Sequence, residues 1–168
     1  MTNNESINSP QKTARVAAFV FLIIFCQGMA AELFIRPAII VPGDAATTVK
    51  NMMASGSLFR LSIVSDLIRL MFLMLLPLLL YKLLKPVNKN IASLMVIFAL
   101  AIVPISMLNE LNHFAALLLS SGADYLRAFE TDQLHALVMF FLDLRKYGTS
   151  IPQVFSLWVL FLGYLVFK

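Results

Sequence analysis

The sequence predicts an all-α fold, a polytopic membrane helical bundle of about four transmembrane helices with two short interfacial helices on its outer side. Three observations lead there. Apolar residues make up 60% of the 168 and charged residues 13%, against about 45–50% and about 25% in an average soluble domain. The mean hydropathy is +0.86, more apolar surface than folding alone keeps out of water. The apolar residues also fall into long runs, each near the roughly 20 residues that cross a bilayer. The chain reads as a single membrane domain over 1–168.

The first span covers 16–35, behind a polar leader with Lys12 and Arg15. Gly28-Met29-Ala30 has the small-x-small form of a signal cleavage site, but the apolar run continues to Ile35 and the segment reads as a retained helix. A lipid anchor on Cys26 is disfavoured by the bulky Phe25. Pro37, Pro42 and Gly43 then punctuate the chain, and Asp44 is placed to cap a short helix over 45–54. The second span, 57–81, ends at Lys82, Lys85, Pro86 and Lys89. The third, 91–119, contains Pro104, which frees a backbone carbonyl and bends the helix.

The next connection carries Asp124, Glu130 and Asp132 against Arg127. Counting Lys and Arg beside the spans puts the N-terminus and the 82–89 loop in the cytoplasm and this acidic connection outside. After Thr131, read as a cap, Asp132, His135, Met139, Asp143 and Lys146 recur at helical spacing opposite Leu134, Leu137, Val138, Phe141 and Leu142. That pattern predicts an interfacial helix over 132–146. Tyr147-Gly148-Thr149-Ser150 breaks it, and 151–167 makes the last span. A re-entrant half-helix over 134–145 is the competing reading, against which Arg145 and Lys146 stand at its end.

The net charge of +4 does not point to nucleic acid, because the cations lie beside hydrophobic runs and not on one face. One cysteine forms no internal disulfide and no dithiol pair.

Polar groups inside spans are the informative residues, since ionisable groups in hydrocarbon are costly and face a partner or a watery cavity. In the second span Ser62, Ser65, Asp66 and Arg69 share one helical face, and in the third Ser106, Asn109, Glu110 and His113 repeat the spacing. The short 82–89 loop makes these helices antiparallel, and at about 1.5 Å per residue Asp66 and Glu110 both lie roughly 13 Å below the outer end. In that register Ser62 comes near His113, Arg69 comes near Asn109 and Ser106, and Gln27 sits at similar depth. Glu32, Arg36 and Arg60 ring the outer mouth. The expectation is a polar cluster in the extracytoplasmic half and a nearly dry, Leu-rich inner half.

Three chemistries compete with plain interhelical bonding. Glu110-x-x-His113 has the spacing of a carboxylate-bundle metal ligand pair, but it occurs once, with Asp66, Glu32 and the more distant His135 as the other donors. A haem pair fails because His135 is not on a facing span. Ser62, His113 and Asp66 form a nominal triad without a nucleophile elbow or oxyanion loop. No cofactor and no resident metal are expected, and an enzyme ranks behind the other readings.

The chain also resembles the bacterial domain of unknown function 4386 family. The resemblance covers nearly the whole chain and rests on Lys12-Thr13-Ala14-Arg15, Glu32, Arg36, Val41-Pro42-Gly43-Asp44-Ala45-Ala46, Ser57-Leu58-Phe59-Arg60-Leu61 and Val64-Ser65-Asp66-Leu67-Ile68. It continues through Leu80-Tyr81-Lys82-Leu83-Leu84-Lys85-Pro86-Val87, Ser121-Gly122-Ala123-Asp124-Tyr125-Leu126, Phe141-Leu142-Asp143-Leu144 and Leu162-Gly163-Tyr164-Leu165. It implies an integral protein of the bacterial cytoplasmic (inner) membrane, with no activity to carry over. It also implies longer members with further hydrophobic helices after the position of Lys168, so the chain is expected to be short or truncated relative to them. Glu110 and His113 depart from the Asn and apolar residues of that stretch, whereas Glu32, Arg36, Gly43, Asp44, Arg60 and Asp66 match.

Glu32 and Arg36 at i, i+4, with Asp44 and Arg60, are expected to lock the Pro-Gly loop over the mouth as a clasp, or to present two Arg to an anionic headgroup or carboxylate. Two functions follow. One is binding or transport of a small solute, lipid or ion at Gln27, Glu32, Arg36, Asp44, Arg60, Asp66, Arg69, Asn109, Glu110 and His113. The other is a non-catalytic membrane scaffold or subunit. The expected partners are the lipid bilayer, that small ligand, and either a second copy or another membrane protein.

Overall fold

The computed structural model describes residues 4–168, with side chains described from Pro10 onward. Among the described residues there are helices and turns and no strands. The helices are α1 (Asn4–Ala30), α2 (Arg36–Ile39), α3 (Ala45–Ala54), α4 (Gly56–Leu84), α5 (Lys89–Leu119), α6 (Thr131–Gly148), α7 (Ser150–Gln153) and α8 (Trp158–Phe167). Four stretches, Pro10–Ile39, Gly56–Leu84, Lys89–Leu119 and Thr131–Phe167, are long and apolar enough to cross a membrane. The fold is therefore the expected helical bundle.

Local sequence explains the irregularities. Pro37 has no N–H to return to Leu33, and just before it the helix widens into a π-turn over Ala31–Ile35, where the Arg36 N–H bonds to the Ala31 carbonyl. The first stretch thereby continues past Ile35 to Ile39. Gly43 takes φ +80°, a conformation open to glycine, and turns the chain into α3. Asp44 caps α3, accepting from the Thr47 N–H at 2.9 Å and the Thr47 hydroxyl at 2.6 Å. These bonds hold its carboxyl below the ordinary range. Asn88 caps α5 through the amides of Asn90 and Ile91. Glu130, not Thr131, caps α6, in a reciprocal box with Gln133.

The central helix is α5, which packs on α4 and, along its other side, on α6 and then α8, while α1 packs on α4. An apolar core at the α3 end joins Ile39, Met52, Phe59, Ile63, Ala116, Val138 and Leu142. Two smaller apolar cores lie toward the other end, one of Ala17, Val20 and Leu76 and one of Ala92, Met95 and Leu165.

The segment 132–146, read from the sequence as an interfacial helix, is continuous with the last apolar stretch, Thr131–Phe167. It runs antiparallel along α5, from Val138 and Leu142 beside Ala116 to the Arg145 carbonyl bonded by Asn109 at 2.8 Å. The chain then continues through α7 and a 3₁₀ turn to Phe155 and Phe161 against Phe98. Arg145 makes this packing possible, because its charge is neutralised inside the bundle by Asp66 and Glu110. Gly148 permits the approach, since a Cβ there would collide with the Asn109 amide.

Candidate functional site

The polar stripes of α4 and α5 face each other, and α6 supplies the group that joins them. Val138, Leu142 and Arg145 follow at i, i+4 and i+7 on one buried face of α6, so the third turn brings a guanidinium where the first two bring apolar side chains. Arg145 is only 4% exposed. Its Nη2 donates to Asp66 Oδ2 at 2.7 Å and to Glu110 Oε1 at 2.8 Å, and its Nε reaches Glu110 Oε2 at 3.5 Å. His113 Nδ1 lies 3.0 Å from the same Glu110 oxygen, and its ring meets the Phe59 ring edge-on at 5.5 Å.

Two more cations complete the network. Arg69 Nε stands 3.5 Å from Asp66 Oδ1, and Arg36 Nη2 stands 3.6 Å from Asp66 Oδ2. Arg36 is also paired with Glu32 across the π-turn. Three carboxylates thus face three guanidinium groups, which is how buried charge is made tolerable. Among the described residues no buried side-chain nitrogen or oxygen lacks a hydrogen-bond partner.

The residues singled out by sequence divide clearly. Glu32, Arg36, Asp66, Arg69, Glu110 and His113 meet in one network, and Asn109 braces it through the Arg145 carbonyl while accepting from Asn112 at 3.0 Å. Gln27 joins α1 to α4 by donating to the Ser65 hydroxyl at 2.6 Å and to the Ser65 carbonyl. Asp44 stays at the α3 cap. Arg60 is exposed on α4 and pairs with no acid among the described residues, so Glu32, Arg36, Asp44 and Arg60 do not form one network. Ser62 donates to the Phe59 carbonyl of its own helix at 2.7 Å, and the nominal triad is not assembled.

Sequence reasoning missed Arg145, which reads as a helix-end charge when α6 is taken as interfacial. The signal was present: Arg145 continues the apolar face through Val138 and Leu142, whereas Asp143 and Lys146 continue the polar one.

Asp66, Glu110 and His113 each bring one donor atom within 4.8 Å of the others, a set suited to a divalent ion. The Arg145 guanidinium occupies the position between the two carboxylates, so a metal would have to displace a cation the chain itself supplies. Two cavities flank the network. One of about 480 Å³ lies between the end of the first span and α6, with Arg36, His113, Arg145 and Lys146 on its wall. The other, about 350 Å³, is lined by Asp66, Arg69, Ser106, Asn109 and Glu110. Glu32, Arg36, Arg145 and Thr149 border both.

The family described as a domain of unknown function (DUF4386) matches residues 16–168. No curated protein and no solved structure matches the chain.

Proposed function

The chain belongs to the DUF4386 family, and we propose that it binds or transports a small solute, lipid or ion through the Arg145-centred cluster. One observation carries this reading. Arg36 and Arg145, two of the three guanidinium groups of the network, border two cavities of about 480 and 350 Å³, the smaller end of the range that ligand sites occupy. A network serving only to hold helices together needs no adjoining volume. Transport would use the same groups by exchanging the Arg145 contacts to Asp66 and Glu110 for contacts to the ligand.

The membrane is taken to be the bacterial cytoplasmic membrane with the N-terminus inside. This reading is supported by Lys12, Arg15, Lys82, Lys85 and Lys89 flanking the apolar stretches on one side and Asp124, Glu130 and Asp132 on the other, and on it the cluster lies in the extracytoplasmic half.

The second reading, a scaffold held by interhelical ion pairs, is favoured by the absence of orphaned buried side-chain polar atoms among the described residues. Native mass spectrometry of the chain extracted gently from its own membrane separates the two. A stoichiometric extra mass that disappears in Asp66→Asn or Arg69→Ala supports binding. A bare chain whose melting point collapses in the same variants supports the scaffold.

A further inference from the structure

The larger cavity differs from the buried network in having charges left over. Arg36 and Arg145 are committed to Glu32, Asp66 and Glu110. Asp143 and Lys146 also line this cavity, and neither has an ion-pair partner among the described residues. Lys146 approaches only the Tyr147 ring, at 5.9 Å, and Asp143 has no hydrogen bond or ion pair there at all. At i, i+3 on α6 they stand on one face, yet they do not pair with each other.

An unpaired acid and an unpaired amine on a spanning helix are costly unless the volume they face satisfies them. The wall also carries Glu32, Arg36, His113 and Arg145, whose charges and ring nitrogen are engaged with one another or with Asp66 and Glu110, together with Thr149, and its apolar part includes Ile40, Val41, Met139 and Leu142. The cavity therefore presents one free carboxylate, one free ammonium and an apolar surface within about 480 Å³.

We infer that this cavity takes a zwitterionic lipid headgroup, with the ligand's ammonium on Asp143, its phosphodiester on Lys146 and the start of its acyl chains against the Ile40 to Leu142 wall. A purely anionic lipid would leave Asp143 facing a like charge, and a purely cationic one would do the same to Lys146. This rests on the binding reading above and names its ligand class.

The test uses the full chain in nanodiscs of equal parts phosphatidylethanolamine and phosphatidylglycerol, followed by delipidation and native mass spectrometry of the retained lipid. The expected result is retention of the ethanolamine lipid over the glycerol lipid by about tenfold, the size of one charge-assisted contact. Asp143→Asn abolishes the preference, and Lys146→Gln abolishes retention of both lipids. The wild-type preference alone is decisive should either variant fail to fold.

Equal retention of the two lipids, an unchanged preference in Asp143→Asn, or displacement by free phosphoethanolamine at equal concentration overturns the inference. A chain that retains neither lipid but carries another stoichiometric mass overturns the lipid and leaves the binding reading standing. A chain that carries nothing overturns both.

Discussion

The two ends of the bundle are held together by different means. Toward the Lys82–Lys89 loop, the contacts are apolar: Ala17 and Val20 against Leu76, and Ala92 and Met95 against Leu165. Toward the α3 loop, a comparable apolar core coexists with a network in which α4, α5 and α6 converge on a single guanidinium. Apolar packing in a membrane gains little from hydrophobicity, because lipid tails are as apolar as Leu, and close fit does most of the work. It is distributed over many contacts and tolerates single changes. The ionic end depends on charge balance, and each member's loss leaves another charge unpaired.

The largest effect should come from breaking that balance. Arg145→Gln leaves Asp66 and Glu110 buried beside one another without the bridging cation, and removing one partner of a buried pair costs about 3–5 kcal/mol. Thermal unfolding in detergent should show a severe drop, largely restored by Asp66→Asn together with Glu110→Gln. A variant that melts like the parent would mean the network is not what holds this end.

At the other end, Leu165→Ala should cost about 2 kcal/mol, the low end for a buried large-to-small change, because lipid replaces part of the lost contact. If it destabilises as much as Arg145→Gln under the same conditions, the contrast between the ends disappears.

Smaller still is the response of the α3 cap to acid. The Asp44 carboxyl is held below its ordinary value of 3.8 by the Thr47 hydroxyl and amide. A lowered folded-state pKa means the cap's contribution is complete above that ordinary value and is lost as pH falls through the lowered one. Amide exchange at Thr47 and Thr48, corrected for its intrinsic pH dependence, should be flat from pH 8 to about 5 and rise only in stronger acid. Asp44→Asn should remove most of that dependence.

The smallest expected change is at Arg60→Ala, which removes an exposed side chain without an acidic partner and should stay within about 0.5 kcal/mol. A larger loss of folded yield would restore Arg60 to the clasp.

These contrasts track what could be read in advance. The two polar stripes and their meeting were legible, because a period of 3.6 residues and one short loop fix how α4 and α5 face each other. The Asp44 cap was legible for a similar reason: its partners lie within three residues. The bond from Gln27 to Ser65 was not legible, because it joins residues 38 apart on two helices. Arg145 and the course of α6 were not. Local pattern places a cation at the end of an amphipathic helix as readily at an interface as in a core, and the partners that decide are 79 and 35 residues away.

By itself the sequence determined a helical chain with four stretches able to cross a membrane, punctuated where Pro, Gly and caps demand it, with acids and an Arg on facing stripes. Those properties are set by composition, periodicity and neighbours within a turn. Only the tertiary structure decided that α6 turns inward along α5, that Arg145 lies between Asp66 and Glu110, and that Asp143 and Lys146 are left facing a cavity. Charge in a low-dielectric interior goes where its counter-charges are, and those positions exist only once the helices have packed.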